Sequence, residues 1–431
     1  MKFKLHQFNK LRGRLGSLSD VERLPDFSMD TPNIFLYTTA GCIPNLTYDV
    51  LQKITTNVFP MQYPLNTLYR ITEAIKLYKK ALHSFVGQPE YVSYCCIQDP
   101  LYSFPRRKHK LELFTLNTIG GIEFISYEKY MEIMEDFQPD IYVSPSDCDT
   151  SIFSSTKRTC NSVNITNRWF ENVYKIHESS PILKNKGLIA AVAGGYDLML
   201  RERCAKYMSE FPVLGYLIDG LFTDEIAAHE VPIDSVMKII SHTVNFLPEE
   251  RLRIVHGSWD PETVLKMVKS GIDIFDTSFP ILNAENGRAL LFNFDVPNLL
   301  DDDVKLRLHG EENGVKEETS IENGDSDIVD QQGSGDNPKK FKSSTSANRG
   351  NTKIKCENRF SIALKDTRYF DDLTPLMENC SCLTCEKHTK AYIHHLLCTN
   401  ELLAPVLLTI HNLHHYIEFF RKIREHLKKQ L

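Results

Sequence analysis

GLIAAVAGG at 187–195, LMLRERCAKYMSEF at 198–211, PVLGYLIDG at 212–220, a helical stretch over about 223–246, RLRIVHG at 251–257, DPETVLKMVKSG at 260–271 and IDIFDTSF at 272–279 alternate short apolar runs with longer amphipathic segments. The short runs predict buried strands and the longer segments predict helices, so the order is βαβαβαβ. The helix after RLRIVHG carries its own start signal, with Asp260 as N-cap and Pro261 at the first helical position. Such repeats with short connections predict an α/β fold, a parallel sheet covered by helices that is either doubly wound or closed. The length of chain before the composition changes, about 250 to 300 residues, fits the closed form, a TIM (β/α)8 barrel. Barrel chemistry sits at the carboxyl ends of strands, so Gly194–Gly195, Asp219–Gly220, His256–Gly257 and Asp273 with Asp276 are expected to ring one mouth. The glycines there would let a planar ligand approach the backbone.

Outward from this core the composition shifts. From Asp301 to Asp336 twelve acids face three bases, and from Asn337 to Lys355 six bases occur without an acid. This stretch, rich in Gly, Asn and Ser, cannot bury enough apolar area to offset its ordering entropy. The reading is a barrel over 1–300, a disordered acidic and then basic insertion over 301–355, and the end of the barrel with a helical subdomain over 356–431. Across all 431 residues, 42% are hydrophobic and 25% charged, with a net charge of −6, which places the chain in the ordinary soluble globular class and excludes a fibrous or wholly disordered protein. The nearest approach to a membrane span, Leu402 to Ile410, is half the length required. The basic start MKFKLHQFNKLRGRLG lacks the apolar stretch of a secretory signal, although it leaves a mitochondrial presequence open.

Eleven cysteines without an export signal point to a reducing compartment, where clustered thiols mean metal rather than disulfides. Cys380, Cys382 and Cys385 form a C-x-C-x2-C run, and three thiolates this close can converge on one ion. Tetrahedral Zn²⁺ needs one more ligand, for which His388, His394, His395, Cys398, His411, His414 and His415 are all candidates by spacing. With four positions filled the ion is structural, and no site is left for a reactive water.

The C-x-C-x2-C run followed by AYIHHLL and ELLAPVLLTIHN resembles the zinc subdomain of the tRNA-guanine transglycosylases, the queuine tRNA-ribosyltransferases. Further matches are TPNIFLYTTAGCIPNLT, the Gly120–Gly121 pair, VAGGYDLMLRERC, VLGYLIDGL and LPEERLRIVHGSWDPETVLKMVKSGIDIFD. The resemblance implies a TIM barrel with a zinc subdomain, and it selects His411 as the fourth ligand beside Cys380, Cys382 and Cys385. It also implies one structural Zn²⁺ per subunit. The family exchanges guanine for queuine or a precursor at the wobble position of tRNAs with GUN anticodons.

Such exchange needs a carboxylate nucleophile, a second carboxylate for proton transfer and polar groups that grip the base. Asp276 matches the family's nucleophile. Thr118-Ile119-Gly120-Gly121-Ile122-Glu123 stands against the D-S-G-G-F-Q motif, whose acid/base aspartate it lacks, and Ser146-Asp147-Cys148 stands against a base-binding D-E-C. Asp219-Gly220-Leu221-Phe222-Thr223-Asp224-Glu225 stands against G-G-L-A-V-G-E and puts an acidic side chain where backbone should meet the ligand, and the arginines that hold the anticodon loop are absent from Pro280 to Gly287. The chain therefore resembles the non-catalytic accessory subunit of the heterodimeric eukaryotic enzymes, with Asp276 vestigial. Implied partners are a catalytic subunit and GUN-anticodon tRNA; the implied location is the cytoplasm, with peripheral association at the mitochondrial outer membrane. The apolar face of Glu401–Lys429 is expected to serve subunit packing, and Arg421, Lys422, Arg424, Lys428 and Lys429 are candidates for tRNA phosphates. The alternative is a diverged base-exchange enzyme acting through Asp276. A zinc hydrolase is disfavoured by the filled ligand set and the lack of H-E-x-x-H.

Overall fold

The computed structural model describes residues 1–9, 13–101, 112–222, 231–301, 304–309 and 359–430. Three antiparallel strands, β1 (Lys2–Asn9), β2 (Gly13–Val21) and β3 (Leu24–Thr31), precede the barrel. β4 (Asn33–Tyr37), β5 (Met61–Pro64) and β6 (Ser93–Cys96) follow, then a hairpin of β7 (Leu113–Thr118) and β8 (Gly121–Ser126). β9 (Ile141–Val143), β10 (Gly187–Val192), β11 (Gly215–Ile218), β12 (Leu252–Ile254) and β13 (Ile274–Asp276) complete the parallel strands. Their circular order is β4-β5-β6-β9-β10-β11-β12-β13, and β13 closes on β4. The expected α/β barrel is thus the fold. All six residues of β10 are buried, as a parallel strand covered on both faces requires.

The start signal read after RLRIVHG acts as expected, and a second cap of the same kind stands at Asp197. Asp260 accepts from the Glu262 and Thr263 amides at the start of helix Pro261–Lys269, and Asp197 caps helix Leu198–Ser209 through the Leu200 amide. Of the helix expected over 223–246, Ile233–Val244 is helical, and 223–230 lies outside the described residues.

One expectation fails at the end of the barrel away from the mouth. Asp273 does not ring the mouth; it precedes β13, at the amino end of the strands, where Arg14 of β2 meets it. Arg14 Nε lies 2.7 Å from Asp273 Oδ1, with both side chains fully buried. Asp273 Oδ2 accepts from the Arg253 amide at 2.8 Å, and Arg14 donates to the Arg251 carbonyl at 2.8 Å. The pair fastens the N-terminal sheet to the barrel floor. In GIDIFD, Asp273 and Asp276 look equivalent, but they stand at opposite ends of the three-residue strand β13.

β14 (Arg288–Leu290) and β15 (Ser361–Ala363) form an antiparallel pair on either side of the insertion. Within 301–355, Val304–His309 return along the body: Leu306 is buried, its amide donates to Glu262 at 2.8 Å, and Leu308 bridges to Phe292. Residues 310–355, on which most of the predicted insertion falls, lie outside the described residues. The chain ends in helix Leu403–Gln430. Its apolar face packs intramolecularly rather than standing free for a partner: Leu407, Ile410, Leu413, Ile417 and Phe420 are buried, with Phe420 5.5 Å from Phe275 of β13 between ring centroids. Only Leu402 and Leu403 of the expected apolar set remain markedly exposed.

Replacing Asp273 by Asn leaves the buried Arg14 charge uncompensated, and chemical unfolding should show a loss of about 3 kcal/mol or more, the range for breaking one half of a buried pair.

Candidate functional site

The carboxyl ends of the strands bring together Asp99, Ser146, Asp219, His256 and Asp276, with Tyr94 reaching up from β6. Asp276, the residue predicted to be a vestigial nucleophile, is 2% exposed. One of its oxygens accepts from the Gly257 amide at 2.8 Å and the other from the Ser278 amide at 2.9 Å. Burial pushes its carboxyl up to about 6, and those hydrogen bonds oppose the shift.

A second carboxyl, overlooked in the sequence, stands at the end of the third barrel strand. Asp99 accepts from Tyr37 Oη at 2.7 Å and from the Leu101 amide at 2.9 Å, and burial, with Asp276 adding to it, raises it to about 7. The motif match had put the missing acid at Thr118. Thr118 and Gly121 instead pair at the end of the β7–β8 hairpin, which lies outside the barrel strands. The signal was present in SYCCIQDP, an acid just past an apolar run, but the glycine pair at 120–121 drew the register away. The strand-end acid is therefore Asp99, and the chain does not lack a carboxyl there.

Two further pairs of polar groups at the mouth satisfy each other. Tyr94 Oη lies 2.8 Å from His256 Nε2, and burial holds the imidazole down to about 4, so it is neutral at pH 7. Ser146 donates to Asp219 at 2.6 Å. Asp147, displaced by one from the family motif, forms a bidentate pair with Arg158 at 2.6 and 2.8 Å, which ties it to helix Thr156–Ser179. At Gly194 and Gly195 the glycine is required by the protein's own packing. A Cβ on Gly194 would sit 2.8 Å from the Arg201 amide nitrogen, and one on Gly195 would sit 2.8 Å from Thr150 Oγ1, so the close approach is made by the protein itself. Asp224 and Glu225 lie outside the described residues.

The metal-type cluster lies in the C-terminal subdomain. Cys380, Cys382, Cys385 and His411 present ligand atoms all within 4.8 Å of one another. His411 Nδ1 is 3.9, 3.6 and 3.3 Å from the three sulfurs in that order. A tetrahedral Zn²⁺ with ordinary Zn–S and Zn–N bonds places sulfur and nitrogen about 3.6 Å apart, so the donor set fits the ion. His411 Nε2 lies 2.8 Å from the Leu290 carbonyl, which fixes the tautomer that leaves Nδ1 free for metal. Asn412 continues the tie, accepting from the Leu290 amide at 2.8 Å and donating to the Arg288 and Pro280 carbonyls. Two further candidates have different partners: His394 faces the Leu364 carbonyl and Cys398, and His415 faces the Phe292 carbonyl, while His414 reaches Cys380 alone of the three sulfurs, at 3.8 Å. The basic end of the last helix is largely engaged within the chain. Arg421 pairs with Glu418 and Glu425, Lys422 with Asp295 and Lys428 with Asp30, while Arg424 donates to the Pro32 carbonyl.

An eight-stranded parallel barrel that carries a Cys3His cluster on a C-terminal helical subdomain defines the class of protein. Residues 10–430 match the family described as queuine tRNA-ribosyltransferase. The chain belongs to that family. Its relatives include the queuine tRNA-ribosyltransferase accessory subunit 2 of Aedes aegypti, 33% identical over 431 residues, covering 100% of this chain and 90% of that protein. The accessory subunit 2 of Culex quinquefasciatus is 34% identical, with 99% and 88% covered, and that of Pongo abelii is 33% identical, with 96% and 93% covered.

Because its native carboxyl is raised above the unfolded value, Asp99 contributes stability that is complete below about pH 4 and lost as pH rises through about 7. The unfolding free energy of wild type relative to Asp99→Asn should fall between pH 5 and pH 8 by on the order of 2 kcal/mol, read by denaturant titration at each pH.

Proposed function

We propose that this chain is the non-catalytic subunit of a heterodimeric queuine tRNA-ribosyltransferase. It supports exchange of guanine for queuine at the wobble position of GUN-anticodon tRNAs while the chemistry proceeds on its partner. The observation that carries the reading is the self-paired mouth: both oxygens of Asp276 are taken by backbone amides, and Tyr94–His256 and Ser146–Asp219 satisfy each other where a base would need free donors and acceptors. The names of the relatives support it. Asp99 and Asp276 survive in this reading as structural acids, each holding a strand end and the turn that follows.

One structural zinc per subunit belongs to the same proposal, with Cys380, Cys382, Cys385 and His411 as its ligands. The ion would join the cysteine knuckle to helix Leu403–Gln430, and His411 and Asn412 join that helix to β14. Exposed apolar side chains on the subdomain, Phe370, Leu373, Tyr392, Leu402 and Leu403, favour this region as the docking edge for the catalytic subunit. The complex works in the cytoplasm, with peripheral association at the mitochondrial outer membrane as the resemblance implies. Among the described residues no helix is long and apolar enough to cross a membrane.

The purified chain alone should incorporate no labelled queuine into tRNA, mixing it with the catalytic subunit should produce incorporation, and Asp276→Asn in this chain should leave the rate of the mixture unchanged. Incorporation by the chain alone, or a covalent RNA adduct on Asp276, would favour the diverged enzyme instead. Cys382→Ser should lose zinc and heterodimer together; zinc-free protein that still pairs at wild-type affinity would break the link between metal and interface.

A further inference from the structure

His414 stands one helical turn beyond His411 on helix Leu403–Gln430, a spacing that places both rings on the same side of the helix. The two differ in what they reach. His411 Nδ1 faces all three sulfurs, whereas His414 Nδ1 has only Cys380, at 3.8 Å, and is not part of the mutually close set of four. His414 is therefore no fifth ligand and no rival to His411.

We propose that His414 is an outer-sphere positioning residue of the metal centre, donating its Nδ1–H to the Cys380 thiolate and thereby setting how firmly the ion is held. The inference rests on the reading of the Cys3His cluster as a metal site. A metal-bound thiolate carries no hydrogen and can only accept, so the imidazole is the donor and Nδ1 carries the proton. Three thiolates around a divalent ion leave one excess negative charge, which an N–H···S contact offsets. Cys380 is where such a contact matters most. Its side chain is half-buried while Cys382 and Cys385 are buried, so it is the ligand most open to solvent or to a competing chelator. The neighbouring His415 does not take the role: its Nε2 donates to the Phe292 carbonyl at 3.1 Å, which leaves the neutral ring no Nδ1–H to give.

The test uses the full-length chain at one fixed pH. Metal content of the wild type is measured first by plasma mass spectrometry; protein without zinc would refute the metal reading itself, separately from the role of His414. Zinc transfer to a chromogenic chelator is then timed for wild type, His414→Leu and His414→Gln. Leu removes the donor, and Gln keeps an N–H of similar reach. Release from the Leu variant should be about tenfold faster, the lower end for loss of a second-shell partner, and the Gln variant should stay near wild type. In the cobalt-substituted proteins the sulfur-to-metal charge-transfer band should shift with Leu and remain in place with Gln. A Leu variant with the wild-type release rate or band position, or a Gln variant as altered as the Leu variant, overturns the proposal.

Discussion

The seam at which β13 closes on β4 is the constraint on which the rest of the structure depends. A parallel sheet has no stable free edge in this fold, and closure requires the last strand to meet the first in register, Ile274 with Asn33 and Asp276 with Phe35. The join is reinforced at both ends. Above it the Thr277 amide donates to the Phe35 carbonyl at 3.1 Å and the Tyr37 amide donates to Thr277 Oγ1 at 2.8 Å. Below it Arg14 and Asp273 are buried together, and outside it Phe420 of the last helix covers Phe275. Asp276 sits on this seam, and its two amide hydrogen bonds hold the turn from β12 and the start of the following helix. A carboxylate at this position thus has a structural reason to exist whether or not it performs chemistry.

That double role clarifies the mouth. A buried carboxyl with a raised pKa is an ordinary marker of a reactive site, yet desolvation raises any buried acid, and here every such acid already has protein partners. Asp99 and Asp276 feel each other electrostatically, but each oxygen of both accepts a hydrogen bond from the same chain. The mouth is consistent with a barrel that keeps its strand ends tied together.

The C-terminal subdomain is tied to the barrel through a few polar atoms. His411 looks two ways, with one nitrogen toward the cysteine sulfurs and the other toward Leu290, and Asn412 beside it links β14 with the start of the helix after β13. A change in ligation is therefore felt within one residue by β14 and by the helix that follows β13. Most of the apolar surface of the last helix is spent on this packing, so a partner can use only what projects from the subdomain's rim.

Much of this was legible along the chain. The alternation of short apolar runs with capped amphipathic helices over 187–279 determined the parallel barrel, because strand and helix periodicities are local properties of the side chains. The cysteine run determined that a metal-type knuckle exists, since ligand spacing within one turn is also local. What only the tertiary structure decided were questions of end and partner: that Asp273 belongs to the floor and Asp276 to the mouth, that the third strand's acid is Asp99 rather than a residue near Gly120, that His411 faces the sulfurs while His415 does not, and that the last helix packs inward. Each depends on atoms brought together across more than twenty residues of sequence, where burial and direction are set by the closed barrel and no periodicity in one segment can report them.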